Sequence, residues 1–241
     1  MKSKKLFIIL PILAVIFLSI FLLTRSKKDK QDATATPTPA PKMVEIDMDQ
    51  KPYISLIPRA DGHELKLKID NIPSNISQIE YELIYLAVDG NLEIEKGAGD
   101  TIKVEGSSLE KDILLGTASC TNDCKYKYDE GIESGTLSLI FINNSGQMST
   151  HETPFTLASS TDINSEKSLA LDDFTINASS VGPGQFFILL KNYGLPNSST
   201  LASEIYSVFS SGNGNGTIQS IEPETFTKEN LKTLAGDYLL N

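Results

Sequence analysis

Polar and apolar residues alternate along most of the chain beyond residue 42. In the stretch "HELKLKID", Leu65, Leu67 and Ile69 fall on one side of an extended backbone and charged residues fall on the other. This period of two is typical of a half-buried β-strand. About nine such segments follow one another up to residue 160, with turn residues between them and no long helical pattern. The pattern predicts an all-β fold with an antiparallel β-sandwich over residues 43–160.

Residues 161–241 continue in the same style and predict a second, smaller β unit. The polar, turn-rich segment 158–168 marks the expected boundary between the two units. The hairpins that begin at Gly135 and Gly184 share one order of glycine, apolar strand, Asn-rich turn, second strand and Ser-Ser. This similarity fits either a tandem repeat or chance.

Two local signals predict particular turns and ends. Asp89-Gly90 separates two strand-like runs and predicts a hairpin turn of type I′. The last residues, 225–241, predict either a short helix capped by Thr227 or an edge strand from Asp237 to Asn241.

The N-terminus departs most clearly from this β pattern. Residues 6–23 form an apolar run with basic residues on both sides. A helix of this length reaches about 27 Å, close to the thickness of the hydrocarbon core of a bilayer. The alternatives are a cleaved signal peptide, an uncleaved anchor and a buried core helix, and the lack of a small-residue cleavage site favours the anchor. We therefore expect residues 1–30 to contain a transmembrane helix with basic flanks.

Residues 31–42, "QDATATPTPAPK", follow the apolar run. Proline alternating with Thr and Ala favours an extended backbone, so we expect a spacer rather than a docking motif. Basic flanks on both sides nearly cancel the charge signal for orientation. The cysteine pair, the linker and the β-rich body together favour a single-pass protein of the cell membrane with its C-terminal bulk outside the cytoplasm.

Charge excludes one class of partner. The chain has a net charge of −10, and residues 1–30 carry +6, so residues 31–241 carry −16. A body this acidic repels phosphate backbones, and we expect no nucleic-acid binding by it. The expected partners are the membrane, through residues 6–23, and other envelope or surface proteins.

The only two cysteines are Cys120 and Cys124, with three residues between them. A zinc site needs two further ligands, whereas the two histidines, His63 and His151, fall on separate expected strands. A redox pair is expected as C-x-x-C beside a βαβ unit. The spacing and the turn-forming residues in between favour a disulfide that closes a small loop, with free thiols and a metal as alternatives. A disulfide needs an oxidising compartment, which agrees with the expected location.

No catalytic residue, cofactor or metal site is predicted. "SLEK", Ser108 to Lys111, matches the S-x-x-K element of certain serine enzymes, but it has no partner motifs and leads into an apolar strand. His151 is expected to be an exposed strand residue rather than a general base. Glu45, Asp47 and Asp49 alternate on one side of an expected strand, where a solvated face is favoured over a Ca²⁺ site.

The strand number, the strand spacing and the hairpin "YELIYLAVDGNLEIEK" give residues 43–160 a resemblance to fibronectin type III and other immunoglobulin-like sandwiches. The chain has no Trp for the usual core position and no clear tyrosine corner, so another sandwich topology stays open. The resemblance implies binding, spacing or structure rather than catalysis. We expect a membrane-anchored extracytoplasmic protein with a structural, adhesive or protein-binding role. The alternatives are an accessory subunit of an envelope assembly or secretion machine, and a carbohydrate-processing module.

Overall fold

The computed structural model describes residues 42–121, 123–196 and 202–240. Strands make up most of this part of the chain. In chain order the elements are a short 3-10 helix (Met48–Gln50), β1 (Tyr53–Pro58), β2 (Glu64–Asp70), β3 (Ile76–Asp89), β4 (Leu92–Lys103), β5 (Ser108–Leu114), β6 (Gly116–Cys120), β7 (Cys124–Tyr128), β8 (Ser134–Asn143), β9 (Met148–Ser159), α1 (Ser160–Glu166), β10 (Ser168–Leu171), β11 (Phe174–Val181), β12 (Phe186–Lys191), β13 (Glu204–Ser210), β14 (Gly216–Glu222), β15 (Phe226–Thr227) and β16 (Gly236–Leu240).

The strands form one large sheet and three small ones. The large sheet has eight strands in the order β15-β16-β13-β12-β9-β8-β3-β4. The sheets β1-β2-β5 and β10-β11-β14 have three strands each, and β6 and β7 form a pair of their own. Neighbouring strands are antiparallel throughout these sheets. The predicted all-β, antiparallel fold is confirmed, and its layered packing is compatible with a β-sandwich.

Strand β12 shows how the layers are arranged. Ile188 and Leu190 belong to one buried core, whereas Phe187 and Leu189 belong to a second core. Successive side chains of a strand point to opposite faces of its sheet. The sheet β1-β2-β5, which contributes to the first core, and the sheet β10-β11-β14, which contributes to the second, therefore cover opposite faces of the large sheet.

The large sheet takes strands from both sides of the expected boundary near residue 160. Four of its strands precede that point and four follow it. All described residues belong to one compact unit. Whether residues 161–241 fold independently stays a prediction.

The predicted boundary segment contains the helix α1. Its N-terminus is a capping box, in which the Ser159 hydroxyl accepts from the Asp162 amide and the Asp162 carboxylate accepts from the Ser159 amide. This reciprocal pair satisfies two amides that a helix start leaves without partners. Only Ser160 and Ile163 are buried in the helix. A helix this short gives almost no apolar periodicity.

Two local predictions, one for a hairpin turn and one for the C-terminal residues, are corrected in detail. The β3–β4 hairpin is confirmed, but its two turn residues are Gly90 and Asn91, and Gly90 has a φ of +67°. A positive φ at the first turn position alone is typical of a type II′ turn rather than type I′. The predicted helix at Thr227 is wrong, because Phe226 and Thr227 form the edge strand β15. The strand alternative is confirmed as β16, but β16 lies between β15 and β13 inside the sheet rather than at its edge.

The first described residues enter the fold beside β9. The amide of Val44 donates to the carbonyl of Met148 over 2.8 Å, and the amide of Met148 donates to the carbonyl of Lys42 over 3.0 Å. Met43 thereby forms a parallel bridge with Met148. The predicted membrane helix within residues 1–30 and the linker up to residue 41 lie outside the described residues. In the described part of the chain, no helix is long and apolar enough to cross a bilayer.

A buried amide joins β1 to the second half of the chain. The Asn192 side chain accepts from the Ile54 amide over 3.0 Å and donates to the Ile54 carbonyl over 2.7 Å. It also donates to the Ser207 hydroxyl over 3.0 Å. Because Ile54 is completely buried, its main-chain groups depend on Asn192 for these hydrogen bonds.

The same connection continues through a half-buried carboxylate, that of Asp237. Asp237 on β16 accepts hydrogen bonds from the Tyr53 hydroxyl over 2.7 Å and from the Ser207 hydroxyl over 2.6 Å. Burial, together with the nearby Asp237 charge, raises the pKa of Tyr53. The phenol therefore stays protonated and remains a hydrogen-bond donor. We call Tyr53, Asn192, Ser207 and Asp237 the polar clamp.

Candidate binding surface

The hairpin β6–β7 forms its own two-stranded sheet, and most of its side chains are exposed. Cys120 lies opposite Cys124 at its far end, and the two form a disulfide. The predicted disulfide is confirmed. Gly116 begins β6 with a φ of +150°, and a side chain there would collide with the carbonyl oxygen of Lys127. Glycine therefore allows the two strands to approach each other closely at the base.

The base of the hairpin is fixed to the large sheet by one carboxylate. Asp129 follows β7, and its side chain is only 8 % exposed. It accepts a hydrogen bond from the Tyr85 hydroxyl over 2.9 Å and lies 3.7 Å from the Lys96 ammonium. Burial and this hydrogen bond to Asp129 raise the pKa of Tyr85. The hairpin is thus held at its base and cross-linked at its far end.

An aromatic row runs along one face of the hairpin. The rings of Tyr126 and Tyr128 are nearly parallel, with centroids 6.1 Å apart. Tyr128 stacks in turn on His63, with a centroid distance of 4.1 Å. Tyr126 is 53 % exposed, among the most exposed large apolar side chains described. Large aromatic groups that are exposed in this way are enriched at protein-binding surfaces.

The opposite face of the hairpin is basic. Lys125 and Lys127 alternate with the two tyrosines and pair across the strands with Ser119 and Thr117. Their positive charges stand on a body in which residues 31–241 carry −16. The hairpin therefore combines aromatic and basic groups on a scaffold of opposite charge.

The aromatic row was only partly visible in the sequence. The alternation "KYKY" after Cys124 showed a strand with tyrosines on one side and lysines on the other. Nothing near Tyr128 in the sequence identified His63 as its stacking partner. That contact depends on the main-chain hydrogen bond from Leu115 to His63, which brings the β1–β2 connection beside the hairpin.

The acidic residues considered for Ca²⁺ do not lie on a strand. Asp49 belongs to the 3-10 helix, and Glu45 lies 3.9 Å from the Lys51 ammonium. The expected strand at residues 45–50 is therefore wrong. Within the described ranges, no group of three potential metal-ligating side chains is present. Ser108 and Lys111 lie on β5, and residues three apart on a strand point to opposite faces.

His151 lies on β9 as expected, but it is half-buried rather than exposed. Its ring stacks on Tyr193 with a centroid distance of 4.3 Å, beside a groove of about 430 Å³ that Lys51 and Lys191 also line. The Nε2 atom has no hydrogen-bond partner among the described residues. Burial, with a smaller contribution from Lys51, lowers the pKa of His151 to about 4.

Acidification is expected to destabilise the fold through His151. The unfolded chain binds this proton near pH 6.5, whereas the folded chain binds it only near pH 4. The contribution of neutral His151 is complete above pH 6.5 and is lost as the pH falls toward 4, on the order of 2 kcal/mol in total. Chemical denaturation at several pH values should show this slope, and His151→Gln should reduce it. His63→Gln is the matched control, and an unchanged slope in His151→Gln would contradict the assignment.

No protein family, curated protein or solved structure that was compared matches this chain. Function must therefore be inferred from the fold and from the hairpin.

Proposed function

We propose that this chain is a single-pass membrane protein whose extracytoplasmic body binds another protein, without catalysis, through the hairpin β6–β7. The observation that carries the proposal is the construction of the hairpin. Its faces are exposed, its far end is cross-linked and its base is held by the buried Asp129. A surface fixed before binding loses little conformational entropy when a partner docks.

The side chains of the hairpin indicate the chemistry of the partner. Tyr126 and Tyr128 offer flat apolar area with few rotatable bonds, which favours protein contacts. Lys125 and Lys127 lie on the opposite face and act by steering rather than by direct contact. They favour a partner surface that carries acidic groups, because complementary charges steer association and select orientation. An acidic protein surface is therefore the partner that we propose.

The strand order supports a closer assignment of residues 43–160. The sheet β1-β2-β5 faces a sheet half with the order β4-β3-β8-β9. When β1, β2 and β5 are named A, B and E, and β4, β3, β8 and β9 are named C′, C, F and G, the order is that of an immunoglobulin-like sandwich that lacks strand D. On this basis we propose a fibronectin type III or immunoglobulin-like domain, with the hairpin β6–β7 inserted between the E and F positions. Domains of this kind commonly serve as binding or spacing modules.

The membrane part of the proposal rests on the sequence. The apolar run 6–23 has the length of a membrane helix, and the Thr-Pro linker 31–42 can hold the body away from the bilayer. The disulfide is consistent with an oxidising location outside the cytoplasm.

Photo-crosslinking in membranes tests the hairpin directly. The full chain with Tyr126→p-benzoylphenylalanine is expected to form one discrete adduct, because Tyr126 lies at the centre of the proposed surface. The yield should fall about tenfold when Lys125→Glu and Lys127→Glu are added. Leu231→p-benzoylphenylalanine is the matched control, since Leu231 is exposed to a similar extent, 50 %, but lies outside the hairpin. Equal adducts at both positions, or an adduct of twice the mass of the chain, would contradict the proposal.

A further inference from the structure

Strand β4 is a long sheet edge with an open side. It pairs with β3 over its full length, from Leu92 to Lys103. Among the described residues no strand pairs with its other side, where the large sheet ends. The opposite end of the sheet is β15, which has two residues only. A long unpaired edge is a template for adding a further strand.

The hydrogen-bonding direction along β4 can be read from two amides. The amide of Val104 donates to the Ser77 carbonyl on the β3 side, whereas the amide of Thr101 donates to the side chain of Asp100. Main-chain groups alternate in direction along a strand. The even-numbered residues of β4 therefore bond to β3, and the odd-numbered residues point their amides and carbonyls to the open side.

The charges of β4 are self-complementary about its centre. When a second copy of β4 is placed antiparallel with Ala98 opposite Ala98, Glu93 faces Lys103. Lys96 faces Asp100, and both also keep a partner within the chain, Asp129 for Lys96 and Lys111 for Asp100. Each of these pairs occurs twice because the arrangement is two-fold symmetric. Opposite charges across neighbouring strands stabilise the pairing, and like charges destabilise it.

The uncharged residues follow the same symmetry. Ile94 faces Ile102, Leu92 faces Val104, and the two glycines of β4 face each other. This register also pairs odd with odd residues, as the open hydrogen-bonding groups require. When one copy is shifted by two residues, Lys96 faces Ile102 and the pairing of opposite charges is lost. One register is therefore preferred over its neighbours.

We propose that two copies of this chain pair through β4 in this register and join their large sheets into one continuous sheet. The pairing forms about a dozen main-chain hydrogen bonds across the two-fold axis. It also covers Leu92, which is 69 % exposed in the single chain. The inference is independent of the proposed role of the hairpin.

A cysteine at the centre of the strand tests the register. Ala98 lies on the axis in a non-hydrogen-bonded pair, where the Cα atoms of the two copies are about 4.5 Å apart, a distance that a disulfide spans. The full-length Ala98→Cys protein in membranes is expected to give a covalent dimer on a non-reducing gel. Glu93→Cys is the matched control, because residue 93 of one copy lies about 33 Å from residue 93 of the other. No dimer with Ala98→Cys, or equal dimer with both variants, would overturn the proposal.

A charge exchange tests the contacts. Glu93 and Lys103 stand near opposite ends of one strand and are too far apart to interact within a chain. In the Ala98→Cys background, Lys103→Glu or Glu93→Lys alone is expected to lower the dimer yield about tenfold, because each places two like-charged pairs across the axis. The double variant should restore the original yield. Failure of the double variant to restore it would overturn the proposed register, whatever binds the hairpin.

Discussion

Asn192→Ala is expected to lower the free energy of unfolding by about 3 kcal/mol. The substitution removes the only described partners of the buried Ile54 amide and carbonyl, and each buried group without a partner costs about 1–3 kcal/mol. Denaturation of the full chain in urea, followed by circular dichroism, gives the change directly. The loss should also weaken the attachment of β1 to the second half of the chain.

Asn144→Ala serves as the matched control for Asn192→Ala. Asn144 is an exposed turn residue after β8, so the same change of residue type should alter stability by less than about 0.5 kcal/mol. If Asn192→Ala were as mild as the control, Ile54 would have other hydrogen-bond partners in solution. The polar clamp would then not hold β1 to the second half of the chain.

Leu189→Ala and Leu190→Ala are each expected to cost about 2–5 kcal/mol. The two leucines are neighbours in β12, both completely buried, but they enter different cores on opposite faces of the large sheet. Because both cores share this sheet, either substitution should lower the midpoint of one common unfolding transition. Thermal unfolding followed by circular dichroism measures the midpoint of the transition. Hydrogen exchange of both cores shows whether they are destabilised together.

Leu231→Ala is the control for the two leucine substitutions, because Leu231 is half exposed and its loss should change stability little. If Leu189→Ala destabilised only the second core and left exchange in the first core unchanged, the halves would unfold separately. That result would support an independent unit at residues 161–241.

The sequence contained enough to predict the elements that depend on local pattern. Strand β2 was recognisable because Leu65, Leu67 and Ile69 alternate with charges, and all three are fully buried. The disulfide followed from cysteine spacing and turn chemistry. The run "FFILL" in β12 also carried a signal, because a continuous apolar strand is typical of burial on both faces.

Features that depend on distant contacts could not be predicted in the same way. The Asn192 side chain binds Ile54 across 138 residues of sequence, and no local pattern identifies that pairing. The row that joins His63 to Tyr128 likewise depends on where the β1–β2 connection passes. Helix α1 did leave a signal, Ser159 followed three residues later by Asp162, but it was too short for periodicity to reveal.

The bridge between Met43 and Met148 has a mechanical consequence. It lies at the first described residues of the body, so under the membrane anchorage proposed above, tension would first load the two hydrogen bonds to Met148, at the start of β9. If they yield, the load passes to β1, where the amide of Asn192 shares it with strands more than a hundred residues away. We therefore expect both halves of the chain to resist the pulling force together.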